Sequence, residues 1–67
     1  MISLNVNGKR RELEGPVRLI DFLESSGVNM QFVAVAHNGD VVDRERFAHV
    51  VLNDGDVVEV VRPVGGG

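Results

Sequence analysis

The sequence predicts an α+β domain in which a mixed sheet of four to five strands packs on one main helix. Ile2, Leu4 and Val6 alternate with polar residues, which is typical of a strand with one buried face. Apolar residues between positions 17 and 23 recur at spacings of three and four, which predicts a helix. Residues 57–61 are valine-rich and the most apolar of the predicted strands, which favours a place at the centre of the sheet.

The first half of the chain predicts a hairpin followed by the helix. Asn7-Gly8 is a strong hairpin signal, because a type I′ turn needs positive φ at both central residues. The return strand, residues 9–13, is mostly polar, and its basic side chains suit an edge position. Gly15-Pro16 breaks the chain, and a helix of about two turns follows until Gly27 ends it. The predicted apolar face of this helix consists of Val17, Ile20 and Leu23, with Leu19 beside them.

The second half of the chain predicts the remaining strands. The apolar run 32–36 suggests a strand covered on both faces. Asn38-Gly39 is a second hairpin signal, and residues 40–42 form a short return strand. An irregular helical turn at 43–48 and a tight turn at 53–56 then lead to the last strand.

A strand near each end of the chain, with a helix between them, can form a two-layer domain. A right-handed crossover through the helix places the last strand parallel to the first. This arrangement is the β-grasp, the fold of ubiquitin. We therefore predict a β-grasp domain over residues 1–64 and a flexible C-terminal glycine tail over residues 65–67.

Composition argues against several classes of function. The chain has no cysteine, so disulfides, thiolate nucleophiles and iron–sulfur clusters are excluded. A net charge of −3 disfavours a nucleic-acid or anionic-membrane partner. No apolar run approaches the roughly 20 residues of a membrane span, and the N-terminus lacks the pattern of a signal peptide. His37 and His49 lack metal-ligand spacing. We expect a cytoplasmic protein with no metal site and no catalytic residues of its own.

The glycines at 65–67 are the feature that can carry chemistry. A residue without Cβ passes through narrow channels and adopts any φ/ψ combination. A carboxylate on Gly67 could therefore reach the α-phosphate of ATP inside a partner enzyme and become an acyl-adenylate. The activated acyl carbon would then accept a sulfur or nitrogen nucleophile, with no catalytic side chain in the carrier. The alternative interpretation is a frayed terminus or a linker.

Three stretches, residues 33–39, 44–47 and 53–67, together resemble the sulfur-carrier family of thiamin biosynthesis. The resemblance spans essentially the whole chain and includes the closing Val-Gly-Gly-Gly. Asp43 stands where that family often has proline, and Phe47 stands where it often has Trp or Tyr.

The resemblance implies a function as a co-substrate, not as an enzyme. An adenylating enzyme (adenylyltransferase) of the ubiquitin-activating type would use ATP and Mg²⁺ to activate the Gly67 carboxylate. A cysteine desulfurase would supply sulfur, giving a thiocarboxylate, and thiazole synthase would accept that sulfur. Gly65 and Gly66 would form the threading segment, and the chain itself would bind no cofactor.

We expect partners to dock on the sheet face beside the tail, with Arg62, Pro63 and Val64 leading into the partner's cleft. For Phe47, both core packing and partner contact are open. Three other functions also fit the residues. They are a molybdopterin-type or other-pathway sulfur carrier, a ubiquitin-like modifier joined to lysines, and a non-catalytic β-grasp interaction module.

Overall fold

The computed structural model describes residues 1–62, which form a five-stranded mixed sheet, a two-stranded sheet and one α-helix. The elements are β1 Ile2–Val6, β2 Lys9–Leu13, β3 Val17–Arg18, α1 Leu19–Ser25, β4 Ala34–His37, β5 Asp40–Val42, β6 Val51–Leu52 and β7 Val57–Val61. The order in the large sheet is β2-β1-β7-β4-β5, and β3 pairs with β6. The predicted α+β β-grasp is therefore confirmed. The predicted domain boundary after residue 64 and the tail over 65–67 lie outside the described residues.

Both predicted Asn-Gly turns are confirmed by their backbone angles. Asn7 and Gly8 have φ values of 52° and 82°, and Asn38 and Gly39 have 51° and 89°. Positive φ at both central positions is the requirement of a type I′ turn, whose twist matches that of the strands it joins. These turns join β1 to β2 and β4 to β5, and each pair is antiparallel.

Strand β7 lies at the centre of the large sheet, as predicted. It pairs in parallel with β1, where Val58 lies opposite Val6. It pairs antiparallel with β4, where Val61 lies opposite Ala34. The two hairpins therefore reach each other only through β7.

The helix begins later than the sequence predicts. Val17 was expected on its apolar face, but Val17 is in β3, paired with Leu52 of β6. The backbone N–H of Leu19 donates to the carbonyl of Val50 at 2.8 Å. The first N–H groups of a helix have no acceptor within the helix, and this bond supplies one of them with an acceptor outside it. The buried helical residues are Leu19, Phe22 and Leu23. Leu19 and Leu23 of the predicted apolar face are therefore confirmed, whereas Ile20 is only partly buried and Phe22 completes the face.

The expectation that residues 32–36 form a strand covered on both faces was also wrong. Phe32 belongs to a short 3-10 helix, Met30–Phe32, and is 62% exposed. In β4 only Val35 is fully buried, whereas Ala34 is exposed. The physical reason is the two-layer architecture, because the single helix covers one face of the sheet and the other face meets solvent.

The core lies between the large sheet and α1, with contributions from the segment that leads to β6. Phe47 is 2% exposed and follows the 3-10 helix Arg44–Arg46. Core packing is thus the correct alternative for Phe47, and direct contact with a partner was the wrong one. The buried apolar residues are Ile2, Leu4, Leu19, Phe22, Leu23, Val35, Phe47, Leu52 and Val58.

We predict that Phe47→Ala lowers the free energy of unfolding by about 3 kcal/mol or more, because it leaves a cavity in this core. Urea denaturation measures the change. Val41→Ala is the control: Val41 is 78% exposed, and its truncation should change stability by less than about 0.5 kcal/mol. An unchanged Phe47→Ala transition would contradict the core assignment.

Candidate functional site

Most residues predicted to act lie beyond the described part of the chain. Pro63, Val64 and the glycines at 65–67 all lie outside the described residues. Arg62 is described: it is exposed and directly follows β7. Within the described residues, the candidate site is therefore the end of the sheet at which β7 finishes. We call it the Val61 end.

The side chain of Asn7 holds β7 at the Val61 end. Regular pairing with β1 includes Val6 opposite Val58, and the Asn7 backbone N–H then donates to the Val58 carbonyl at 2.9 Å. Beyond this point β1 turns away from β7, and the Asn7 carboxamide takes the place of its backbone as the hydrogen-bond partner of β7. Its Oδ1 accepts from the Val60 N–H at 2.7 Å, and its Nδ2 donates to the Val60 carbonyl at 3.1 Å. The opposite amide orientation would set donor against donor, so these bonds define the amide orientation.

Asn38 makes the equivalent contact at the other end of β7. Its Oδ1 accepts from the Val57 N–H at 2.8 Å, and its own backbone N–H donates to the Val57 carbonyl at 2.8 Å. Both asparagines occupy the first central position of a type I′ turn. An asparagine side chain therefore bonds the central strand near each end, but only Asn7 makes both bonds with its carboxamide, since Asn38 bonds the Val57 carbonyl through its backbone N–H.

The outer face of the large sheet, which points away from α1, is apolar on one half. Side chains alternate along a strand, so the neighbours of buried positions point outward. Val41 and Val61 are 78% and 59% exposed there, and the small side chains of Ala34 and Ala36 lie between them. These residues line a shallow depression of about 150 Å³ with Glu59 at its side. We call this the apolar outer patch, and it borders the Val61 end.

The carboxylate of Asp56 organises the opposite end of the sheet. It accepts hydrogen bonds from His37 Nε2 at 2.7 Å, from the Asn53 backbone N–H at 2.9 Å and from Asn38 Nδ2 at 3.2 Å. Burial favours the neutral acid and would raise the pKa of Asp56. The hydrogen bonds outweigh burial, with the bond from His37 the strongest, so the net pKa of Asp56 is lowered.

Two structural absences concern the described residues alone. Within residues 1–62, no group of three or more His, Cys, Asp or Glu side chains could hold a metal ion. In the same range, no helix has the length and apolar character needed to cross a membrane.

Sequence reasoning missed the contacts of Asn7 and Asn38 with β7. It identified both residues from the turn signal and assigned them no further role. Nothing local marks the contact, because Asn7 and Val60 are 53 positions apart. Docking on the sheet face beside the tail was expected, but the residues of the apolar outer patch were not named, because alternating apolar residues do not reveal which face of a strand a helix covers.

Known proteins resemble this chain over nearly its full length. The sequence profile of the ThiS family matches residues 4–67. The sulfur carrier protein ThiS of Bacillus subtilis (strain 168) is 37% identical over 65 residues, which cover 96% of this chain and 98% of that protein. A thiazole synthase of Paramagnetospirillum magneticum is 35% identical over 66 residues, but the chain spans only 20% of that protein's length.

The fold agrees with a solved structure. The crystal structure of the thiamine biosynthesis protein (ThiS) from Geobacter metallireducens matches with a TM-score of 0.86 at 35% identity. The match covers 98% of this chain and 100% of that one. Sequence and fold therefore point to the same group of proteins.

We predict that Asp56→Asn destabilises the fold more at about pH 7 than at about pH 3. A lowered folded-state pKa means that the ionised carboxylate stabilises the fold above its unfolded pKa of about 4. That stabilisation is lost as the pH falls through the folded-state pKa. Urea denaturation at several pH values measures the difference between the two proteins. Asp40→Asn, which removes an exposed carboxylate from β5, controls for the loss of one charge. A difference independent of pH would show that the charge of Asp56 is not what stabilises the fold.

Proposed function

This chain belongs to the ThiS family, the sulfur carriers of thiamin biosynthesis, and we propose that the carboxylate of Gly67 is the group that carries the sulfur. The observation that carries this proposal is the extent of the family match, which runs from residue 4 to Gly67. The glycines at 65 and 66 thread the carboxylate into the partner, because residues without Cβ fit a narrow channel. The carrier is in this view a co-substrate in the cytoplasm.

The chemistry takes place in two steps inside a partner adenylating enzyme. An oxygen of the Gly67 carboxylate attacks the α-phosphate of ATP, and pyrophosphate leaves. Mg²⁺ bound by the partner neutralises the phosphate charge during this step. A desulfurase takes the sulfur of cysteine as a persulfide, and attack of a reducing thiol on that persulfide leaves a disulfide and releases hydrosulfide. The hydrosulfide then attacks the acyl carbon, and AMP leaves. The product is a thiocarboxylate whose sulfur can be donated to the forming thiazole ring.

Thiazole synthase is the acceptor in this proposal. One support is that a protein named thiazole synthase contains, in a fifth of its length, a stretch similar to nearly all of this chain. Carrier and synthase sequences thus occur within one polypeptide in that relative. A shared polypeptide keeps two reacting groups at high effective concentration, which suits partners in successive steps.

The apolar outer patch is the surface on which we place the adenylating enzyme. It borders the Val61 end, so a partner seated there is close to the point at which the chain leaves the sheet. The depression over Ala34 and Ala36 has room for an apolar side chain of the partner, and Glu59 beside it suits a basic group.

Intact mass spectrometry tests the carrier function. The protein incubated with its adenylating enzyme, ATP, Mg²⁺ and a sulfur donor should gain the mass difference between one sulfur and one oxygen atom. A variant lacking Gly67 should show no gain, because the reacting carboxylate is displaced. An unchanged mass of the full chain under these conditions would rule out the proposed carrier chemistry.

The docking surface is tested by placing a charge on the apolar outer patch. We predict that Val41→Glu weakens binding to the adenylating enzyme by about tenfold or more, because it buries a carboxylate against an apolar surface of the partner. Titration calorimetry measures the affinity. Val51→Glu is the matched control, since Val51 is 45% exposed in β6 and the change in net charge is the same. Equal affinities for the two variants would place the interface elsewhere.

A further inference from the structure

We propose that Asn7 is a positioning residue, whose carboxamide sets the direction in which the chain leaves β7 toward Gly67. The proposal rests on the function proposed above. It concerns hydrogen bonds that the turn itself does not require. Its basis is the pair of bonds from the Asn7 side chain to Val60.

The pairing of β7 is incomplete at its final residues. On the β4 side, pairing continues to Val61 opposite Ala34. On the β1 side, backbone pairing stops at Val58, three residues earlier. The Asn7 carboxamide fills that gap by bonding both the N–H and the carbonyl of Val60. It thereby holds the second edge of β7 immediately before Val61 and Arg62.

Turn chemistry alone does not explain an asparagine at position 7. Type I′ turns are also formed by Asp-Gly and Gly-Gly, which supply the same positive φ values. Glycine has no side chain, and an aspartate carboxylate has no donor for the Val60 carbonyl. A carboxamide is the group that supplies an acceptor for the Val60 N–H and a donor for its carbonyl from one side chain.

The position of Val60 matters because the segment that leads to Gly67, and that must enter the adenylating enzyme, begins directly after it. Gly67 lies seven residues further along the chain, a distance of at most about 25 Å when fully extended. A rotation at the base therefore becomes a large displacement of the carboxylate. Misplacement of a reacting group by about 1 Å can slow a reaction by up to two orders of magnitude. The glycines can compensate for a loose base, but productive insertion then becomes rarer.

Asn38 provides a matched control within the same chain. It occupies the same turn position, with nearly the same φ, and also holds β7 through its side-chain oxygen. Its contact is with Val57, at the end of β7 away from Val61. Asn7→Gly and Asn38→Gly therefore both preserve a turn and both remove carboxamide contacts with β7. Only Asn7→Gly removes such contacts next to the tail.

The first measurement is independent of any activity. Backbone ¹⁵N relaxation should show increased motion of the Val61 and Arg62 amides in Asn7→Gly, and wild-type values for them in Asn38→Gly. Circular dichroism verifies that both variants are folded at the temperature used. Unchanged relaxation of Val61 and Arg62 in Asn7→Gly would overturn the proposal, whatever the carrier chemistry proves to be.

The second measurement is ATP–pyrophosphate exchange by the adenylating enzyme, with the carrier as the varied substrate. In Asn7→Gly, kcat should fall by about tenfold while KM for the carrier stays within about twofold of wild type. Asn38→Gly should keep both values within about twofold, and Asn7→Asp, with one of the two bonds, should fall between. Equal kcat values for the two glycine variants would overturn the proposal. Absence of exchange with the wild-type chain would instead refute the proposed function, and the relaxation result would still decide the position of the tail base.

Discussion

Strand β7 accepts and donates hydrogen bonds along both of its edges, and the remaining strands of the large sheet are arranged by that pairing. Its parallel register with β1 extends over only two residue pairs, Asn5 with Val57 and Val6 with Val58. Side chains extend this short ladder in both directions. Asp54 Oδ1 accepts from the Ser3 N–H at 2.7 Å just before β7, and the Asn7 carboxamide continues the pairing beyond it. A domain of this size has a small hydrophobic core, so each backbone hydrogen bond formed at the centre of the sheet is a substantial part of its stability.

The small size of the domain also explains why one face of the large sheet is exposed to solvent. One short helix and the segment around Phe47 cover the inner face, and nothing in residues 1–62 covers the outer one. The outer face therefore presents an apolar surface that contributes nothing to the core and consists of Ala34, Ala36, Val41 and Val61. Apolar area of this kind commonly marks a site of association. In the proposed function, stability and recognition thus depend on opposite faces of one sheet.

The sequence predicted the parts of the fold that depend on local signals. Asn-Gly pairs, the alternation in β1 and the glycine after the helix each have a local physical meaning, and all three were found where expected. The errors arose where the secondary structure of a residue depends on a segment that is distant in the sequence. Val17 is β-branched and could pair or turn helical, and residues 51–52 supplied the strand that made it pair. For the candidate site, the glycines were visible in the sequence, whereas the Asn7 contact depends on a neighbour 53 positions away.

The central place of β7 also has a consequence for how the chain folds. Within residues 1–62, β7 follows the other strands of the large sheet, so neither hairpin can join that sheet until β7 pairs with it. Until then β1 and β4 each present an unpaired edge, which is a template for pairing with other chains. Pairing of β1 with β7 also joins residues about 52 positions apart, and such contacts form late and slowly. Pairing with β7 therefore covers both of these edges at once, and a molecule in which β7 has not docked leaves both open to other chains.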